Sequence, residues 1–277
     1  MTSPVSQHTR ILAITNQKGG VGKTTTAINL GTALAAIGEE VLIVDIDPQC
    51  NASTGLGITR DDRMYSSYEL LSQQASLDEA ALKTTVPKLS IIPSTLDLLG
   101  FELEVASLQN RSHRLRDAIE KHIADKEGKE SEVPRFTYIL IDCPPSLNLL
   151  TVNAMVAAQA LIVPLQCEFF ALEGLSQLLK TVRQIKQSLN RLLIIHGIVI
   201  TMFDPRNKLS SQVTEDVRQT MGDLVYNTVI PRNIRLSEAP SHGKPAVVYD
   251  LSCSGSQAYL RLAAEILQRE QQLRGEQ

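Results

Sequence analysis

Short, nearly unbroken apolar runs recur along the chain, and between them apolar residues return at three- and four-residue spacing. The runs are Ile11–Ile14, Val41–Val44, Leu89–Pro93, Phe136–Ile141, Ala160–Pro164, Leu192–Thr201 and Thr228–Pro231. Runs this short, without polar alternation, predict strands buried on both faces. The intervening spacing predicts helices over Thr24–Ile37 (with Gly38 as its stop), 95–108, 111–124, Leu172–Leu189, Leu209–Met221 and Gln257–Gln272. The last of these carries Leu260, Ala263, Ile266 and Leu267 on one face. Residues 50–88 are polar and irregular, with short helical pieces at Ser67–Leu71 and Leu77–Leu82, and residues 125–135 form a charged surface loop. Strands alternating with helices predict an α/β fold, a doubly wound and mostly parallel sheet with helices on both faces. Ligands of such sheets bind at the carboxyl ends of the strands. Neither a repeat nor a strong linker divides the chain, so residues 10–267 are expected as one domain between polar tails at 1–9 and 268–277.

Composition narrows this picture. The 277 residues are 43% hydrophobic and 21% charged, but only 4% aromatic with no Trp. The core must therefore be built from Ile, Leu, Val and Ala. No apolar run reaches the roughly 18 residues that a membrane span needs. Residues 1–10 lack the apolar centre of a signal peptide. Cys50, Cys143, Cys167 and Cys253 are isolated, with no C-x-x-C spacing, which points to a reducing cytoplasm. The net charge of -3 is uneven: residues 180–244 hold 10 basic against 5 acidic side chains, whereas residues 1–179 hold 14 against 21. A late basic segment on an acidic protein suits a polyanion, although surface lysine and arginine are often merely solvated.

Candidate chemistry begins where the first strand meets a glycine-rich turn, Gln17-Lys-Gly-Gly-Val-Gly-Lys-Thr-Thr25. Strand, glycine turn and helix in that order are the context of a phosphate-binding loop. Gly19, Gly20 and Gly22 let the backbone curl with its N–H groups inward, and the helix adds its positive end. Lys23 then neutralises β- and γ-phosphates, and the Thr24 hydroxyl completes a magnesium shell. A glycine turn alone is often only a tight bend, but here two lysines, two threonines and both flanking elements agree. Asp142 ends the strand Tyr-Ile-Leu-Ile and fits a magnesium-partner position, where a lone aspartate is otherwise a cap. Asp45 and Asp47 end another strand and have the same ordinary alternative. His196 and His242 read as satisfied strand and loop residues rather than ligands.

The loop departs from G-x-x-x-x-G-K-[ST]: Gln17 replaces the first glycine, and Lys18 adds a second lysine. In this it resembles the deviant Walker A box of the ParA/MinD superfamily. The segments Val163–Leu175, Thr201-Met-Phe-Asp-Pro-Arg206 and Ile230-Pro-Arg-Asn-Ile-Arg-Leu-Ser-Glu-Ala-Pro-Ser-His-Gly-Lys-Pro245 narrow it to chromosomal ParA (Soj), from about Arg10 to Leu267. The resemblance implies a slow ATPase with ATP and magnesium as cofactors. Gln17, Lys18, Gly19, Gly20, Val21, Gly22, Lys23, Thr24 and Thr25 bind the phosphates, and Pro231, Arg232 and Asn233 lie at the adenine. Thr24, Asp45 and Asp142 serve the metal, and Asp47 orients the attacking water. Lys18 reaches the nucleotide of the other subunit in an ATP-dependent homodimer. Arg206 and Arg235 contact double-stranded DNA without sequence preference, and a ParB-type centromere-binding partner stimulates hydrolysis. The implied location is the bacterial cytoplasm, on the nucleoid and without membrane. The helix-turn-helix domain of plasmid-encoded relatives is missing, and the tail 268–277 lacks the amphipathic face of MinD. A MinD-like membrane-cycling ATPase and a ParA-like positioner of protein cargo stand as alternatives. So do a redox ATPase resembling nitrogenase iron protein and a ligase or synthase built on the same loop.

Overall fold

The structure is a computed structural model, and it describes residues 9–126 and 135–275, with side chains to Gln272. Most of the charged loop expected at 125–135 lies outside the described residues, as do residues 1–8 of the N-terminal tail. Eight strands form one sheet: β1 (Arg10–Ile14), β2 (Val41–Asp45), β3 (Leu82–Lys83), β4 (Leu89–Ile92), β5 (Tyr138–Asp142), β6 (Ala160–Gln166), β7 (Ile194–Phe203) and β8 (Val225–Pro231). Their order is β3-β4-β2-β5-β1-β6-β7-β8, parallel throughout except for β3, which runs antiparallel to β4.

The helices are α1 (Lys23–Ala36), α2 (Asn51–Gly55), α3 (Ser67–Ser72), α4 (Leu77–Ala80), α5 (Leu98–Glu104), α6 (Arg114–Asp125), α7 (Leu149–Ala157), α8 (Ala171–Ser188), α9 (Lys208–Met221), α10 (Ile234–Glu238), α11 (Ala246–Tyr249) and α12 (Ser254–Gly275). Successive strand residues point to opposite faces, so each central strand feeds two cores. Ala13, Val44, Ile141 and Val163 join one apolar layer with α3 to α9. Leu12, Ile43, Leu140 and Ile162 join the other, under α1, α12 and the short α2, α10 and α11. Strands β2, β4 and β5 are buried along their whole length, as unbroken apolar runs require.

Several elements depart from the sequence reading, among them Leu82, expected in a helical piece but found in β3, where it pairs with Ile91 of β4. Helix α7 was not expected, because it is apolar nearly all round and shows no stripe to betray a helical period. Its only punctuation is Asn148, whose side chain accepts from the Thr151 N–H. Helix α5 is shorter than the 95–108 expected. Helix α12 runs on to Gly275, through residues the pattern left as polar tail.

One close approach anchors the basic edge of the sheet. A Cβ built on Gly197 in β7 would stand 2.5 Å from two ring atoms of the buried Tyr226 in β8. The Tyr226 hydroxyl in turn lies 2.5 Å from His196 Nδ1. Gly197→Ala must push this ring aside, with an expected loss of about 1–3 kcal/mol. Thermal unfolding with the midpoint of the parent chain would remove Gly197 from this role.

Candidate nucleotide site

Three adjacent strands end at one level, and their ends carry the candidate chemistry. Ile14 of β1 pairs in register with Asp142 of β5, and Asp142 pairs with Asp45 of β2. The glycine loop leaves β1 directly above these carboxylates. Gly20 and Gly22 take φ of 72° and 88°, the left-handed region that a side chain disfavours. Gly22 thereby caps α1 by backbone alone and leaves the first amides of the helix facing the loop. The loop is tied from both sides. The Thr201 hydroxyl donates to the Val21 carbonyl at 2.8 Å, and Gln17 Nε2 donates to Thr181 Oγ1 at 3.2 Å.

Lys23 is 7% exposed, and its Nζ donates to the Lys18 carbonyl at 3.1 Å, curling back across the loop. Burial lowers its pKa, with Asp142 and Asp47 pulling the other way. A buried ammonium with one carbonyl partner is short of anions, which is the electrostatic demand a phosphate meets.

The carboxylates differ sharply. Asp45 is fully buried and committed to its own loop. Its Oδ1 accepts from the Asp47 N–H at 3.1 Å, and its Oδ2 accepts from Ser53 N–H and Oγ at 2.9 and 2.7 Å. Burial nevertheless pushes its carboxyl up to about 6. Asp47 accepts from the Gln49 N–H at 3.0 Å, and its carbonyl takes the Ser94 hydroxyl at 2.7 Å. Asp142 is fully buried, yet neither of its carboxylate oxygens meets a hydrogen-bond donor. Burial and then the charge of Asp45 hold its carboxyl well above the ordinary range. The Thr24 hydroxyl lies near enough to favour the ionised form without closing a hydrogen bond. Two buried carboxylate oxygens without a protein donor are the donor set a divalent cation accepts. Among the described residues no three His, Cys, Asp or Glu side chains gather to hold a metal unaided. The fit is therefore to a magnesium ion that brings its own water and phosphate ligands, with Thr24 and Asp142 as the protein's share.

Comparison with known proteins agrees with this geometry. Residues 9–195 match the AAA-domain family AAA_31. The chain is 59% identical over 261 residues to a chromosome partitioning protein ParA of Caulobacter vibrioides, covering 94% of this chain and 95% of that protein. It is 51% identical to the sporulation initiation inhibitor protein Soj of Bacillus subtilis, over 93% of this chain and 98% of the relative. Among solved structures, a cobyrinic acid a,c-diamide synthase from Mycobacterium smegmatis with bound ADP and magnesium matches with TM-score 0.80. That likeness is 34% identical and covers 95% of this chain and 96% of the other. The chain belongs to the ParA/Soj family of partitioning ATPases.

In this ParA-type chain the added loop lysine is engaged by a carboxylate of its own chain. Lys18 Nζ forms an ion pair with Glu168, just beyond β6, and both side chains are about half exposed. Glu168 escaped the sequence reading, since nothing local marks a carboxylate 150 residues away as the partner of Lys18. Thr201 and Ser94 were missed for the same reason, since each meets a residue far away in sequence, and Ser53 was missed although it lies only eight residues from Asp45, in α2. The segment expected at the base leaves β8, where the Arg232 N–H donates to the Phe203 carbonyl at 2.9 Å. Asn233 is held at both ends. Its Oδ1 caps α10 through the Arg235 N–H at 2.8 Å, and its Nδ2 donates to Ser254 Oγ at 2.9 Å.

Arg206 and Arg235 follow the carboxyl ends of the adjacent strands β7 and β8. Arg206 is 88% exposed in its side chain and grips Asp204 with two hydrogen bonds of 2.9 Å, which hold that carboxyl down to about 2. Arg235 pairs with Glu238 at 2.8 Å and Asp250 at 3.5 Å. Both guanidiniums are thus oriented by neighbouring acids while staying open to solvent. His196 lies 2.9 Å from Glu270 Oε1 through its Nε2, and His242 stacks on Tyr249 with centroids 5.0 Å apart. Among the described residues no helix is long and apolar enough to cross a membrane.

Proposed function

We propose that this ParA-type ATPase is a DNA-segregation switch in which ATP joins two copies and the joined pair binds DNA. The observation that carries the reading is the shared level of three strand ends, which sets Ile14, the last strand residue before the glycine loop, beside Asp142 and Asp142 beside Asp45, with the charges of Asp142 and Asp47 both acting on Lys23. The relative solved with ADP and magnesium supports the same ligands here. Thr24 and Asp142 would hold a magnesium ion, which would supply charge neutralisation to the phosphates. Lys23 and the loop amides seat the β- and γ-phosphates. Asp47, fixed by its contacts to Gln49 and Ser94, orients the attacking water, while Asp45 keeps the Asp47–Ser53 loop in place. Pro231, Arg232 and Asn233 border the base.

Lys18 completes the neighbouring subunit's site. To do so it exchanges Glu168 for a triphosphate oxygen across the interface. An exposed ion pair of this kind contributes only about 0–1 kcal/mol, so it is a small barrier to that exchange. Because part of the neutralising charge comes from a second chain, turnover in a lone subunit is slow, and a ParB-type partner accelerates it.

The joined pair presents Arg206 and Arg235 twice, for sequence-indifferent contact with phosphates on the nucleoid. Gel shift with non-specific double-stranded DNA across a salt series tests this. Arg235→Ala is expected to weaken ATP-dependent binding equally on all sequences and to lower the salt slope by about 2, one per arginine in the dimer. Unchanged affinity and slope would take Arg235 out of the DNA surface.

A further inference from the structure

Helix α5 is apolar on two sides. Leu98, Phe101 and Val105 follow three- and four-residue spacing and are buried in the core beneath it. Leu96, Leu99 and Leu103 repeat that spacing and are 55%, 66% and 82% exposed. At about 100° per residue the second set lies opposite the first. The helical path already covers Leu96, because the Leu99 N–H donates to its carbonyl at 3.0 Å. Met64 is a further exposed apolar side chain, at 79%, and its neighbour Arg63 donates to the Ser94 carbonyl at 3.0 Å, four residues before α5 begins. Single exposed leucines are ordinary, but a continuous ridge of them on a soluble chain marks a contact surface.

Carboxylates flank the helical part of the ridge, whereas Arg60 and Arg63 line the cavity beside Leu96 at its start. Glu102 borders it on one side and Asp97 and Glu104 on the other, all exposed. We propose that this outer face of α5 docks an amphipathic helix of a partner protein, one whose apolar stripe is bordered by lysine or arginine. Charge complementarity favours that occupant over a second copy of the chain. Two such ridges meeting across a two-fold axis would set carboxylates against carboxylates on both sides. The ridge also leads toward the nucleotide site. Leu96 lines a cavity of about 680 Å³ together with Pro48, Gln49 and Cys50, the residues directly after Asp47. The docked helix therefore ends against the loop that carries Asp47. This surface does not depend on the ATPase reading, since it uses none of the residues assigned to nucleotide or DNA.

The test uses the full chain and two synthetic helical peptides of about 18 residues, long enough to hold a helix. One is patterned from Leu and Lys, the other from Leu and Glu with the same apolar positions. Fluorescence anisotropy is expected to show the Leu/Lys peptide binding at least about tenfold more tightly than the Leu/Glu peptide. Leu99→Gln combined with Leu103→Gln is expected to weaken the Leu/Lys peptide about tenfold or more, since both changes are solvent-facing and leave the core intact. Hydrogen exchange should slow in residues 96–105 when the peptide is bound. Equal binding to the double variant, or protection confined to another part of the chain, would overturn the assignment. So would self-association of the parent chain that the double variant loses, because a second copy would then be the occupant.

Discussion

Asp47→Ala is expected to lower ATP turnover by about 10²- to 10⁴-fold, the range lost when a positioned proton-handling group is removed. ATP binding and ATP-dependent DNA binding should persist. The separation follows from what Asp47 touches. Its side chain accepts from the Gln49 N–H, and its backbone carbonyl, which alanine retains, accepts the Ser94 hydroxyl. The buried anchor of the loop is Asp45, whose oxygens hold the Asp47 N–H and Ser53, so truncating Asp47 leaves the loop fastened. None of the groups assigned to seating phosphate changes. Single-turnover hydrolysis beside equilibrium binding of labelled ATP separates the two effects. Turnover within a few-fold of the parent chain would remove Asp47 from the water-orienting role.

Lys18→Ala should produce the complementary phenotype. A cation supplied from the second subunit acts where charge develops in the transition state, and losing one such group costs about 10²- to 10³-fold in rate. Unlike Asp47→Ala, this change should also abolish ATP-dependent association and with it DNA binding. Nucleotide affinity of the single subunit should fall little, because Lys23, not Lys18, is the buried lysine of the loop. Mixing decides the matter. Lys18→Ala chains combined with Asp47→Ala chains should regain hydrolysis in half of the sites of mixed dimers, since an intact Lys18 then faces an intact Asp47. No recovery on mixing would mean that Lys18 acts within its own chain.

The two lysines also show where sequence reading stops. The glycine loop, the strand-end aspartates and the parallel sheet were readable because each is written in a few consecutive residues: an apolar run, a turn residue, an acid at the stop. Their juxtaposition was readable only as far as doubly wound sheets always place strand ends together. What escaped was carried by distance in sequence. Glu168 meets Lys18, Thr201 meets Val21 and Ser94 meets Asp47, and nothing in the sequence around Glu168, Thr201 or Ser94 announces the contact. Helix α7 escaped for the opposite reason, being so completely buried that no polar face recorded its period. Asp142 was readable as a magnesium partner, with a strand-end cap as its ordinary alternative. Only the fold shows that both its oxygens are buried without a donor. The outer ridge of α5 was hidden because leucines at helical spacing read as core, and which of the two leucine sets faces water is decided by packing alone.

The claim on which the rest depends is that ATP closes two of these chains on each other. Sedimentation velocity of the Asp47→Ala chain with saturating ATP and magnesium tests it with hydrolysis suppressed. A species of twice the chain mass that reverts to single chains in ADP is the predicted result. A single-chain species under both conditions, at concentrations where the protein binds ATP fully, would contradict it.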